Sequence, residues 1–75
     1  QETPSRAAQG REVMSRFAEA TAKLPPDWRD IVLLRDVCGL PIETIAKDLE
    51  MSPKAVAGHL RRGRERLRIA FPDYA

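Results

Sequence analysis

The chain holds a single cysteine, Cys38. No intrachain disulfide can form, which excludes a secreted disulfide scaffold and points to a reducing, cytoplasmic setting. No apolar run approaches the roughly 18 residues of a membrane span, so no membrane partner is expected. Residues 1–9 lack the apolar core of a signal peptide. No stretch alternates apolar and polar residues over a useful length, so strands are not expected. Internal repeats and low-complexity tracts are absent as well. At 75 residues there is room for one domain at most. That excludes an active site built between two lobes, and neither catalysis nor a cofactor is expected. The first residue is Gln1, not Met, which suggests a piece of a longer protein.

Net charge is also scarce, at +2, but it is unevenly distributed. Residues 1–52 carry seven Lys/Arg and nine Asp/Glu, whereas residues 53–75 carry six and two. A near-neutral body with a basic end is the electrostatic footprint of an anion binder. Most of that charge falls between Lys54 and Arg68, where Glu65 is the one acid.

What is present is helical punctuation. Thr3 and Pro4 have the character of a cap and a first helical residue. Gly10 weakens the turn that follows, so a firm start is expected near Arg11. Val13, Met14, Phe17, Thr21 and Leu24 then recur in steps of three and four as one apolar stripe, and Pro25 ends that helix. Pro25, Pro26 and Asp27 open a second helix. Its Trp28, Ile31, Val32, Leu33, Leu34 and Val37 are apolar around more than half the circumference, and Gly39 suits its C-terminal turn. Pro41 opens a short third helix with Ile42, Ile45, Ala46 and Leu49 on one face. Ser52 and Pro53 are a cap and first residue for a fourth, over residues 53–70, which Pro72 stops. The expected organisation is a linker end or frayed helix start over residues 1–10, an all-α four-helix domain over residues 11–71, and a tail over residues 72–75.

The third and fourth helices are separated by only about three residues. A short helix, a tight turn and a basic helix describe a helix-turn-helix, whose second helix enters the DNA major groove. On the helical wheel Val56, Leu60, Gly63 and Leu67 point inward, and Lys54, Gly58, Arg61, Arg62 and Glu65 point away. The expected DNA-binding residues are Ser52, Lys54, Ala57, Gly58, His59, Arg61, Arg62 and Arg66. Arg61 and Lys54 are best placed for guanine edges; Arg62, Arg64 and Arg66 suit phosphates or solvent. A side chain at Gly58 would either clash with DNA or be tolerated on an exposed face. His59 has no second His or Cys at ligand spacing, so no metal is expected. Cys38 lacks a base near it in the chain, so packing is expected of it and catalysis is not. Trp28 and Phe17 fit the core, Met14 and Leu33 could line a groove for a partner helix, and Ile69 and Phe71 could cover the first helix or meet a partner.

Several segments together carry a family resemblance. They are the run Leu24-Pro25-Pro26-Asp27-Trp28-Arg29-Asp30-Ile31-Val32-Leu33-Leu34-Arg35-Asp36, the helix motif Glu43-Thr44-Ile45-Ala46, and the closing Arg62-Gly63-Arg64-Glu65-Arg66-Leu67-Arg68. In this order and spacing the chain resembles region 4, the C-terminal domain of bacterial sigma factors, most strongly the extracytoplasmic-function (group 4) class. The resemblance covers about residues 11–70. It implies the region 4 type of winged-helix-like fold without strands. Its implied function is recognition of the upstream (−35) element of double-stranded promoter DNA and docking on the β-subunit flap of core RNA polymerase. It also implies restraint by an anti-sigma factor or a C-terminal extension.

The sequence departs from that pattern at three places. Glu50 stands in the turn where the family often has Gly, at a cost of about 1 kcal/mol if its φ is positive. Ala57-Gly58-His59 replaces a Lys-Ser-Arg-like triplet, which shifts weight toward shape readout. Pro41 replaces a common Ser cap. Two other readings remain open here. Ser52 to Val56 with His59 and Leu60 also resembles the recognition helix of LuxR-type regulators, which bind as dimers. The basic helix could instead bind an acidic protein partner.

Overall fold

The computed structural model describes residues 6–74, with the Arg6 side chain left out. The expected cap at Thr3 and Pro4 lies outside them. Among the described residues the chain forms four α-helices and no strand: α1 (Arg6–Ala22), α2 (Pro26–Val32), α3 (Ile42–Leu49) and α4 (Pro53–Ala70). A π-helical turn, Leu33–Val37, continues α2.

The core sits where α2 and α3 cross α4. Ile31 and Val32 of α2, Ile45 of α3, and Val56 and Leu67 of α4 are fully enclosed, with Ala46, Leu60 and Leu24 almost so. Each buried Val, Leu or Ile side chain contributes about 1.5–3 kcal/mol through removal from water. Trp28, Leu34, Leu40, Ile42, Leu49 and Phe17 close the edges as partly buried neighbours. All four residues expected on the inner stripe of α4 are buried: Val56, Leu60, Gly63 and Leu67. Gly63 lets α2 come close, since a Cβ there would lie 2.7 Å from Val32 Cγ2.

α1 departs from its expected boundaries and burial. It is already helical at Arg6 and passes through Gly10, not starting near Arg11. Its stripe is buried only at the C-terminal end. Thr21 is 4% exposed and donates from Oγ1 to the Ala18 carbonyl at 3.1 Å, which satisfies a buried hydroxyl. Val13 and Met14 stay 49% and 62% exposed, because α1 extends past the core into an elongated molecule 53 Å long and 21 × 18 Å across. A 3.6-residue stripe marks a face, and burial needs another element opposite it.

The end of the second helix also differs from a plain α-helix. The Cys38 N–H reaches back five residues to the Leu33 carbonyl, and Leu40 N–H bonds the Leu34 carbonyl. Gly39 closes this widened turn at φ 75°, in the C-terminal role expected of it. Arg35 Nη1 pins the turn by donating to the Leu40 carbonyl at 2.9 Å. Here Asp36 faces α4, while Val37, placed on the apolar face by the wheel, is 60% exposed.

The segment after α4, expected as a tail, folds back. Phe71 lies against Phe17 with ring centroids 6.2 Å apart, and Tyr74 stacks on Phe17 at 6.0 Å. Phe71 thus covers the first helix, whereas Ile69 points outward at 80% exposure.

Candidate nucleic-acid interface

The turn between α3 and α4 is three residues long: Glu50, Met51 and Ser52. Glu50 ends α3 in the left-handed region, φ 56° and ψ 46°. The Met51 N–H then bonds the Ala46 carbonyl at 2.9 Å, closing the last turn of α3. Ser52 is extended, and its Oγ accepts from the Ala55 N–H at 3.1 Å, while Pro53 fills the first helical position. These local choices start α4 in solvent, with Ser52, Pro53 and Lys54 exposed.

Burying Val56, Leu60, Gly63 and Leu67 leaves the opposite face of α4 in solvent. One open concavity on that face is lined by Ser52, Lys54, Ala55, Ala57, Gly58, His59, Arg61 and Arg62. It brings together every residue expected to bind DNA except Arg66. Lys54, Arg61 and Arg62 are exposed, and no acidic side chain lines the surface. Ala57 and Gly58 keep its middle low. The shape and sign suit close approach of a polyanion.

Three of the concavity's side chains have more to report. Arg61 Nε lies 3.7 Å from Glu65 Oε1, an exposed pair one turn apart that contributes little to stability. Arg62 lies across Gly58, its Nη1 3.2 Å from where a Cβ at residue 58 would stand. His59 is half-buried, and its Nδ1 is enclosed without a hydrogen-bond partner.

Arg64, Arg66 and Arg68, beyond Gly63 on α4, each also touch another part of the chain. Arg64, expected to face phosphate or solvent, instead grips Asp36: Nε donates to Oδ2 at 3.1 Å and Nη2 to Oδ1. Tyr74 Oη donates to the same Oδ2 at 2.7 Å. Burial pushes the Asp36 carboxyl up. The hydrogen bonds from Arg64 and Tyr74 and the charges of Arg64 and Arg35 outweigh it, and the pKa falls below 3.8. Burial and the bond to Asp36 hold the Tyr74 phenol well above its ordinary range. Arg66 is exposed but lies over Trp28, 5.4 Å from the ring centroid, and Arg68 Nε donates to the Tyr74 carbonyl at 3.2 Å. The basic end thus divides in two: Lys54, Arg61 and Arg62 face solvent together, and Arg64, Arg66 and Arg68 bind parts of the chain. Residue type and wheel position do not separate these groups, because the separating partners lie on α2, on the π-helical turn and after α4.

A second surface lies elsewhere. Val13, Met14, Phe17, Asp36, Val37, Phe71 and Tyr74 line an almost wholly apolar groove between α1, the π-helical turn and the returning C-terminal segment. Met14 is in it, as expected of a groove for a partner helix, but Leu33 is not. No described helix is long and apolar enough to cross a membrane.

A family model described as sigma-70, region 4, matches residues 14–67. No curated protein and no solved structure matches the chain.

Proposed function

The chain belongs to the sigma-70 region 4 family of bacterial transcription-initiation proteins, and from that premise we propose that it is the promoter-recognition domain of an extracytoplasmic-function (group 4) sigma factor acting in the cytoplasm. In this reading α4 binds the upstream (−35) element through Ser52, Lys54, Ala57, Gly58, His59, Arg61 and Arg62, and Arg66 supplies a flanking phosphate contact. The carrying observation is that concavity at the start of α4, which is basic, free of acids and floored by Ala57 and Gly58. The major groove admits an α-helix, and the residues at the N-terminal end of such a helix contact base edges.

The domain in this proposal runs from α1 through the returning segment that ends at Tyr74. The apolar groove around Met14 and Phe17 takes the flap helix of the polymerase β subunit, since an exposed apolar surface of this kind marks a docking site. Ile69 offers a separate apolar contact for an anti-sigma factor. The domain binds and positions and has no catalytic role. The family match favours this reading over the LuxR-type one, which rests on Ser52 to Leu60 alone.

Co-purification of the parent protein with core RNA polymerase, followed by run-off transcription, tests the proposal. Association with polymerase and promoter-dependent transcripts are expected. A parent that does not associate with polymerase overturns it.

A further inference from the structure

Gly58 and Arg62 stand one turn apart on the exposed face of α4. A Cβ built on Gly58 would meet Arg62 Nη1 at 3.2 Å and Arg62 Cζ at 4.0 Å, so the guanidinium borders the space a side chain at residue 58 would need and would have to give by a few tenths of an ångström. The direction has a general cause, because long side chains on a helix lean toward its N-terminus over the preceding turn. Ordinarily such a side chain rides over the Cβ it meets there. At Gly58 there is none, and the fork lies close to the helix in the concavity that both residues line. Arg61 is drawn the opposite way, toward Glu65 one turn nearer the C-terminus.

We propose that Gly58 is a seat for the Arg62 guanidinium, and that Arg62, not Arg61, is the arginine that reads a guanine edge. The proposal rests on the promoter-recognition reading given above. Bidentate recognition of guanine O6 and N7 needs a planar fork held in one place. A fork already laid across residue 58 gives up less side-chain freedom on binding than one moving in solvent. A methyl group at residue 58 would push the fork outward by a few tenths of an ångström, away from that alignment. Gly58 is therefore a positioning residue, and its missing side chain acts through Arg62.

The test uses the 75-residue chain with Gly58→Ala, Arg62→Ala, the double variant, Arg62→Lys and Arg61→Ala, each checked for helicity and melting temperature. The probe is a pool of DNA duplexes randomised over a short central stretch. Fluorescence anisotropy then compares the enriched duplex with a scrambled one. Arg62→Ala is expected to lose the preference at one G·C pair, lowering discrimination roughly five- to 160-fold, the range for one bidentate contact. Gly58→Ala relaxes the same position without lowering the melting temperature, and adding it to Arg62→Ala changes nothing more. Arg62→Lys keeps affinity for the scrambled duplex but not the preference. Losses that multiply in the double variant overturn the seat, since they mean that the new methyl meets DNA itself. A preference lost in Arg61→Ala and kept in Arg62→Ala overturns the assignment of Arg62. A wild-type chain that enriches no sequence overturns the promoter-recognition reading, whereas enrichment left unchanged by Gly58→Ala overturns only the seat.

Discussion

Arg64 and Asp36, 28 residues apart in the chain, form a two-pronged ion pair that joins α4 to the end of the second helix. Their side chains are 29% and 16% exposed, and the Tyr74 hydroxyl completes the cluster. A basic residue that composition assigns to DNA thus serves the fold.

This pair makes stability depend on pH in acid. The folded Asp36 pKa is lowered below 3.8, so its contribution is complete above the unfolded value. It is lost as pH falls from near 4 through the lower folded value. Asp36→Asn should cost about 1–2 kcal/mol at neutral pH, because it weakens charge-assisted bonds to Arg64. The loss should shrink at the acid end. Urea midpoints of both proteins across the acid range check this, and a constant gap between them would contradict it.

Tyr74 is the only tyrosine, so its ionisation can be followed alone by phenolate absorbance. The folded phenol should titrate well above pH 10, and the urea-unfolded chain near the ordinary value. Its stabilising effect is complete below the unfolded pKa and is lost only as pH rises through the folded one. Tyr74→Phe keeps the stack on Phe17 and should cost about 0.5–1.5 kcal/mol for the lost bond.

Gly63 sits where α2 meets α4. A methyl group there would lie 2.7 Å from Val32 Cγ2, and Val32 is fully enclosed with no room to retreat. Gly63→Ala should destabilise by about 1–3 kcal/mol through overpacking, despite alanine's better helix propensity. The penalty should be smaller in a Val32→Ala background, a coupling that a double-mutant cycle of thermal melts would measure.

Glu50 holds a left-handed conformation at φ 56°. Glu50→Gly should stabilise by about 0.5–1 kcal/mol by relieving that strain, less the entropy glycine adds to the unfolded chain. Glu50→Ala keeps the strain and should bring no such gain in melting temperature.

The division of the basic end predicts a pattern in salt. Removing a phosphate contact lowers the slope of log affinity against log salt by about 1. Lys54→Ala should do so in DNA-binding titrations. Arg64→Ala should leave the slope unchanged and lower the melting temperature instead.

Much of this protein is written locally, and the structure agrees with those parts. Ser52 and Pro53 mark the start of α4, Val56, Leu60, Gly63 and Leu67 its buried face, and Gly39 the left-handed turn after the second helix. The family follows from motif order along the chain. These features depend on residues within one or two turns of each other, where capping, wheel phase and glycine's backbone freedom act directly. The sequence by itself also determined that positive charge gathers at the C-terminal end. Only the tertiary structure decided which of those charges stay free, because Asp36, Trp28 and Tyr74 meet Arg64, Arg66 and Arg68 through packing between distant elements. It likewise decided that Val13 and Met14 remain exposed and that the C-terminal segment folds back onto Phe17. Periodicity defines a face, but the element that covers it comes from elsewhere in the chain.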